Sequence, residues 1–128
     1  MGRITLDMKQ KIVIIESDRL IADVLADRLS REEYVVYSAK DRVRGERLVR
    51  EKLPSLVLLD ISEQQEMEFL QDFHNDVVLS RIPVIVILDF GKKEKIKKAA
   101  ALGAVDWITK LEFEPAVLVE KIKKQLNS

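Results

Sequence analysis

Short runs of apolar, largely β-branched residues alternate along the chain with stretches whose apolar residues return at helical spacing, and this alternation constrains the fold more than any other feature. Lys11 to Ile15 is the first run, short enough for a strand buried on both faces. Behind it, Leu20, Ile21, Val24, Leu25 and Leu29 mark one side of a helix, with Ser17 or Asp18 placed to cap its first turn. Tyr34 to Ser38 reads as a second strand. Asp41 can then cap a helix reaching about Lys52, with Val43, Leu48 and Val49 on its apolar side, before Pro54 closes the connection. Leu56 to Asp60 is the third strand, Met67 to Asn75 a helix through Met67, Leu70 and Phe73, and Pro83 to Leu88 the fourth strand. Lys92 to Leu102 is helical with Gly103 as its C-terminal cap. Val105 to Thr109 is the fifth strand, and Pro115 precedes a last helix carrying Val117, Leu118, Ile122 and Leu126.

Regular strand-then-helix alternation requires right-handed crossovers and a sheet covered on both faces. The expected fold is α/β: a doubly wound five-stranded parallel sheet of the flavodoxin-like (βα)5 type, strand order 2-1-3-4-5. A length of 128 residues with 47% hydrophobic content suits one domain with one core. Residues 11–128 are expected to form it. Residues 1–10 lack the apolar core of a signal peptide and are read as an N-terminal extension outside the fold.

Composition narrows function mainly by exclusion. The chain has no cysteine, hence no disulfide framework or thiolate metal site, and no apolar run approaches the ~20 residues that span a bilayer. A cytoplasmic protein without membrane contact is the expectation. Basic and acidic residues number 22 each, so composition gives no support to direct nucleic-acid binding. Lys92, Lys93, Lys95, Lys97 and Lys98 nevertheless crowd together, as do Arg42, Arg44, Arg47 and Arg50. Such runs are ordinarily solvated helix faces; a partner-docking patch is the alternative.

Three of the strand-like runs end on polar residues of chemical interest: Glu16-Ser17-Asp18, Asp60 and Lys110. The carboxyl edge of a parallel sheet collects such ends, and open α/β proteins place their sites there. Two carboxylates and an ammonium meeting at that edge suit phosphate chemistry or a divalent metal. The bland alternatives are a turn-capping Asp60 and a structural Asp60–Lys110 ion pair. His74, the only histidine, has no second ligand near it in sequence and is expected to face solvent.

Four segments in this order and spacing resemble the receiver domains of bacterial response regulators, of which the single-domain chemotaxis regulator is the type. They are Lys11 to Asp18, Pro54 to Asp60, Ile82 to Val86 and Leu102 to Lys110, and the resemblance runs to about Leu126. It implies that Asp60 accepts a phosphoryl group from a histidine kinase or phosphotransfer protein and that Lys110 contacts the phosphoryl oxygens. It also implies that Glu16, Asp60 and the backbone carbonyl of Ser62 hold Mg²⁺. Leu88 and Trp107 fall at the switch positions that report phosphorylation to the face of the fourth helix, fifth strand and fifth helix, where a downstream protein would bind. Autophosphorylation and dephosphorylation of its own aspartate would be such a domain's only chemistry, and a homodimer is one form its output can take.

Several positions depart from the family pattern. Ser17 stands where receivers carry a second acid, and Mg²⁺ dehydrates reluctantly, so its binding is expected to be weak or absent. Asp18 is next along the chain, but strand alternation directs it elsewhere. Leu88 replaces a hydroxyl residue and cannot donate a hydrogen bond to phosphate. Asp89 beside it would oppose a bound phosphate, assist a cation or pair with Lys110, with an exposed loop residue as the default. The segment after Asp60 is shorter than usual and lacks the family's Pro and Gly. Leu111 replaces a proline; a cis peptide without proline costs about 2.5–4 kcal/mol, so a trans bond is expected there.

The alternative to a phosphorylated receiver is therefore a degenerate, phosphorylation-independent pseudo-receiver acting as an interaction or dimerisation module. A flavodoxin-like cofactor binder fits less well. Glu16 and Asp18 place negative charge where a cofactor phosphate would need donors, and no Gly-rich loop is present.

Overall fold

The computed structural model describes residues 9–62, 64–90, 92–110 and 114–127, with the backbone alone for 64–66. Its centre is a parallel sheet of five strands: β1 (Lys11–Ile15), β2 (Val35–Ala39), β3 (Leu56–Asp60), β4 (Val84–Leu88) and β5 (Asp106–Thr109). Their spatial order is β2-β1-β3-β4-β5, as the alternation predicts. The register pairs Ile15 with both Ala39 and Leu59, Asp60 with Ile87, and Leu88 with Thr109, so the carboxyl ends finish nearly level. β3 and β4 are buried throughout, which explains why they read as unbroken apolar runs rather than as alternation.

Five helices cover the sheet: α1 (Arg19–Arg31), α2 (Arg42–Lys52), α3 (Gln64–Asn75), α4 (Lys93–Ala101) and α5 (Pro115–Leu126). Their caps follow local chemistry. The Asp18 carboxylate accepts the Leu20 and Ile21 N–H groups at the start of α1, and Asp41 accepts Arg44 N–H at the start of α2. Beyond α4, Gly103 takes the left-handed conformation with φ +100°, and a Cβ there would enter the His74 ring. Strand side chains alternate between two cores. Val13, Val57, Leu59, Val86 and Leu88 pack with Val49, Phe69, Phe73 and Ala99; Ile12, Leu58, Ile85 and Ile108 pack with Leu25, Leu29, Leu118 and Ile122.

The differences from expectation lie at helix faces and element ends. Leu20 is 74% and Val43 73% exposed, while Ala22 and Gly45 turn inward in their place. Val24 and Val117 also face outward. Gly45 is needed because the α2 backbone lies so close to β1 that an added Cβ would stand 2.5 Å from Ile15 Cδ1. β2 begins one residue later than expected and runs to Ala39; β5 begins at Asp106, and α3 begins at Gln64. A short 3₁₀ turn at Leu79–Arg81 leads to Pro83, whose carbonyl accepts Val57 N–H. Leu111 lies outside the described residues.

Candidate functional site

The carboxyl edge brings together the side chains expected there. Lys110 follows β5, and its N–H donates to Leu88 O at 2.8 Å, extending the ladder by one residue. From that position its ammonium lies 3.2 Å from Asp60 Oδ2, 3.5 Å from Glu16 Oε2 and 3.6 Å from Asp89 Oδ1. Glu16 is held at the end of β1 by its own N–H on Ala39 O, and only 2% of its surface remains exposed. Its Oε2 accepts Asp18 N–H at 3.0 Å, whereas the buried Oε1 has no hydrogen-bond partner among the described residues. Asp60 Oδ1 accepts from Ser62 twice, from N–H at 2.9 Å and from the hydroxyl at 2.6 Å.

One ammonium thus serves two buried carboxylates and a third, exposed one. The imbalance falls on Glu16. Burial is the main cause that pushes its pKa up to about 7; the Asp18 N–H and Lys110 oppose the rise, and the neighbouring Asp60 adds to it. Burial also acts on Asp60, but the Ser62 hydroxyl, Glu16, the Ser62 N–H and Lys110 outweigh it and hold that carboxyl below its ordinary range. Burial disfavours the Lys110 charge, yet Asp60, Glu16 and Asp89 together raise its pKa. Asp60 is consequently the ionised member of the pair, and Glu16 the member that retains a proton more readily.

Ser17 is exposed, and the Asp18 carboxylate is engaged as the α1 cap; β1 ends at Ile15, so helix capping rather than strand alternation sets its direction. Leu88 is fully buried among apolar side chains and offers the edge no hydroxyl. Trp107 lies on the outer strand beside a hollow of about 220 Å³ lined by Val86, Ile96, Ala99 and Ala104. His74 is exposed at the end of α3.

The two cationic runs divide. Arg42 stacks over Phe69, 5.1 Å from the ring centroid, and pairs with Asp72; Arg50 pairs with Asp76. Arg44, which pairs with Asp41, and Arg47 line an open cleft with Lys40 and Ser17. At the N-cap and along α4, Lys92, Lys93, Lys97 and Lys98 are exposed, but Lys95 turns inward and donates to the Ser62 carbonyl at 2.9 Å. Sequence reasoning missed this contact. The available signal was helical spacing: Lys95 precedes the inward-facing Ile96 and stands one turn before buried Ala99.

Receiver domains typically bind Mg²⁺ at their phosphorylation site. The donor set here does not fit that ion as arranged. Both Asp60 oxygens and Glu16 Oε2 already take donors, and Lys95 holds the Ser62 carbonyl. Among the described residues no three His, Cys, Asp or Glu side chains group to hold a metal.

The sequence model described as "Response regulator receiver domain" matches residues 12–123, and the chain belongs to this family. A CheY-like receiver domain protein from Methanospirillum hungatei JF-1 is 26% identical, with 93% of this chain and 94% of that one covered and a TM-score of 0.83. The BeF3-activated N-terminal receiver domain of Klebsiella pneumoniae RstA is 25% identical, covering 92% and 99% of the two chains, with a TM-score of 0.82. A response regulator from Thermotoga maritima shares the fold at a TM-score of 0.85 and 22% identity, over 94% and 99%. Receiver domains work in two-component signalling as generally non-enzymatic modules that interact with histidine kinases and downstream effectors. No described helix is long and apolar enough to cross a membrane.

Proposed function

We propose that residues 11–128 act as a receiver that takes a phosphoryl group on Asp60 and conveys its state to a partner protein, with residues 1–10 as an extension. The observation carrying this reading is the Asp60 carboxyl group with the Lys110 ammonium 3.2 Å away at the carboxyl edge of the sheet; that neighbour, with the Ser62 donors, favours the ionised form of Asp60. In the transfer, an Asp60 oxygen attacks the donor phosphorus and forms an acyl phosphate. The bond from phosphorus to the donor histidine nitrogen, or to the leaving oxygen of a small phosphodonor, breaks with its electron pair. A carboxylate attacking an anion needs positive charge already in position, which Lys110 supplies. The donor is a histidine kinase or phosphotransfer protein, and the output passes through the α4–β5–α5 face to a downstream protein or a second copy of the chain. A cytoplasmic location accords with such donors.

A second reading is favoured by Leu88 and Ser17: a phosphorylation-independent pseudo-receiver whose docking face is constitutive. Leu88 buries an alkyl group where a switch needs a hydroxyl, and Ser17 removes an acid. Acetyl phosphate treatment followed by mass spectrometry of the intact protein separates the two. A mass gain of one phosphoryl group in the wild type, lost in Asp60→Asn, supports phosphorylation. No gain, together with unchanged Trp107 fluorescence on adding beryllofluoride, supports the pseudo-receiver.

A further inference from the structure

The Ser62 carbonyl belongs to the very short segment between Asp60 and α3, and its acceptor is filled from elsewhere in the fold. Lys95, 33 residues further on, leaves the cationic surface of α4, crosses to that segment and places its ammonium 2.9 Å from the oxygen. It is half-buried, unlike Lys92, Lys93, Lys97 and Lys98. Its bond is to a neutral backbone carbonyl 33 residues away, so the contact is not an ion pair between neighbours on one helix. The same Ser62 donates both N–H and hydroxyl to Asp60 Oδ1, and one residue therefore joins the reactive carboxylate to α4.

A divalent cation ligated by Asp60 and the Ser62 carbonyl would have to share that oxygen with an ammonium. Two like charges cannot approach one acceptor in a partly dehydrated site without strong repulsion. Mg²⁺ also demands near-ideal octahedral geometry at about 2.0–2.1 Å, which leaves little tolerance for a ligand already drawn toward another cation. Departure of Lys95 would relieve both problems. It would also release the first turn of α4, whose N-cap residue Lys92 supplies no side-chain capping hydrogen bond.

We infer that Lys95 is a gate at this site: its ammonium holds the Ser62 carbonyl against divalent cations, and a cation enters only as Lys95 and the start of α4 let go. The chain's own cation thereby takes part of the place of a bound one. The inference rests on the Asp60 site proposed above for its location, but it requires metal binding only, not phosphoryl transfer.

The test is calorimetric titration with Mg²⁺ and with Mn²⁺ of the wild type, Lys95→Met and Lys97→Met. The last removes the same charge from the same helix at an exposed position. The expected result is a gain of at least tenfold in affinity for Lys95→Met and little change for Lys97→Met. Hydrogen exchange should show the first turn of α4 exchanging faster in Lys95→Met and, at saturating Mn²⁺, in the wild type. Lys95→Gln serves if the methionine variant does not fold. Equal effects of the two lysine substitutions would mean general electrostatics and overturn the gate, as would wild-type affinity in Lys95→Met. A negative acetyl phosphate result beside a positive metal result would sink the phosphorylation reading and leave the gate standing.

Discussion

Lys121 of α5 holds its ammonium 4.8 Å from the centroid of the Trp107 ring, donates to the carbonyl of the same residue and pairs with Asp106 at 3.2 Å. Three contacts from one side chain tie the ring to α5 beside the hollow lined by Ile96, Ala99 and Ala104. At an exposed site the cation–π part is worth about 0.5–1 kcal/mol. Lys121→Met should lower stability by about 1 kcal/mol in urea unfolding and increase acrylamide quenching of Trp107. Unchanged quenching would mean that Lys121 does not restrain the ring.

At the carboxyl edge the decisive asymmetry is between cation and anions. Removing one partner of a buried ion pair costs about 3–5 kcal/mol because the remaining charge is stranded. Lys110→Met strands the buried Asp60 carboxylate and leaves Glu16 to be buried with its proton, whereas Asp60→Asn keeps an oxygen for the Ser62 donors and relieves crowding of the carboxylates. The expected order of chemical-denaturation stability is wild type near Asp60→Asn, with Lys110→Met lower by about 3 kcal/mol. A fully stable Lys110→Met protein would show that the ammonium does not offset the burial of these groups.

The fold was readable because its signal is repeated: each strand is a short apolar block, and the caps at Asp18, Asp41, Gly103 and Pro115 punctuate the helices. The placement of Glu16, Asp60 and Lys110 followed because strand ends determine where side chains emerge. Faces were harder to read. Hydrophobicity alone favoured Leu20 and Val43 over Ala22 and Gly45, yet α1 and α2 lie close enough to the sheet that small residues occupy inward positions. Lys95 was hidden because one inward lysine in a cationic run has the same composition as an outward one. Its target is a backbone carbonyl, which leaves no mark in sequence.

Close packing at Gly45 gives a coupled prediction. Alanine is the better helix former by about 1 kcal/mol, but overpacking a core costs about 1–3 kcal/mol. The new Cβ would meet Ile15 Cδ1 at 2.5 Å and Cγ1 at 2.7 Å, so packing should win and Gly45→Ala should destabilise. Ile15→Val removes the nearest of those atoms. In that background the same alanine should cost less, giving a favourable coupling energy in a double-mutant cycle. Simple additivity would place the clash elsewhere.

Asp76 provides the clearest pH dependence away from the site. Its Oδ1 accepts the Leu79 and Val78 N–H groups at 2.9 Å each, and its Oδ2 accepts Arg50 Nη2 at 2.8 Å, tying α2 to the turn after α3. The Leu79 N–H bond is the largest cause lowering its pKa, followed by the bond from Arg50. A carboxyl depressed in the folded state binds fewer protons there than when unfolded. Stability must therefore fall as pH drops from the ordinary aspartate range through the depressed folded value, with the full contribution present above the unfolded pKa. Asp76→Asn cannot lose a charge it lacks, so it should be less stable than the wild type at pH 6 and converge with it as acid is added. Urea midpoints across that pH range measure this directly; parallel curves for the two proteins would show that the Asp76 charge does not stabilise the fold.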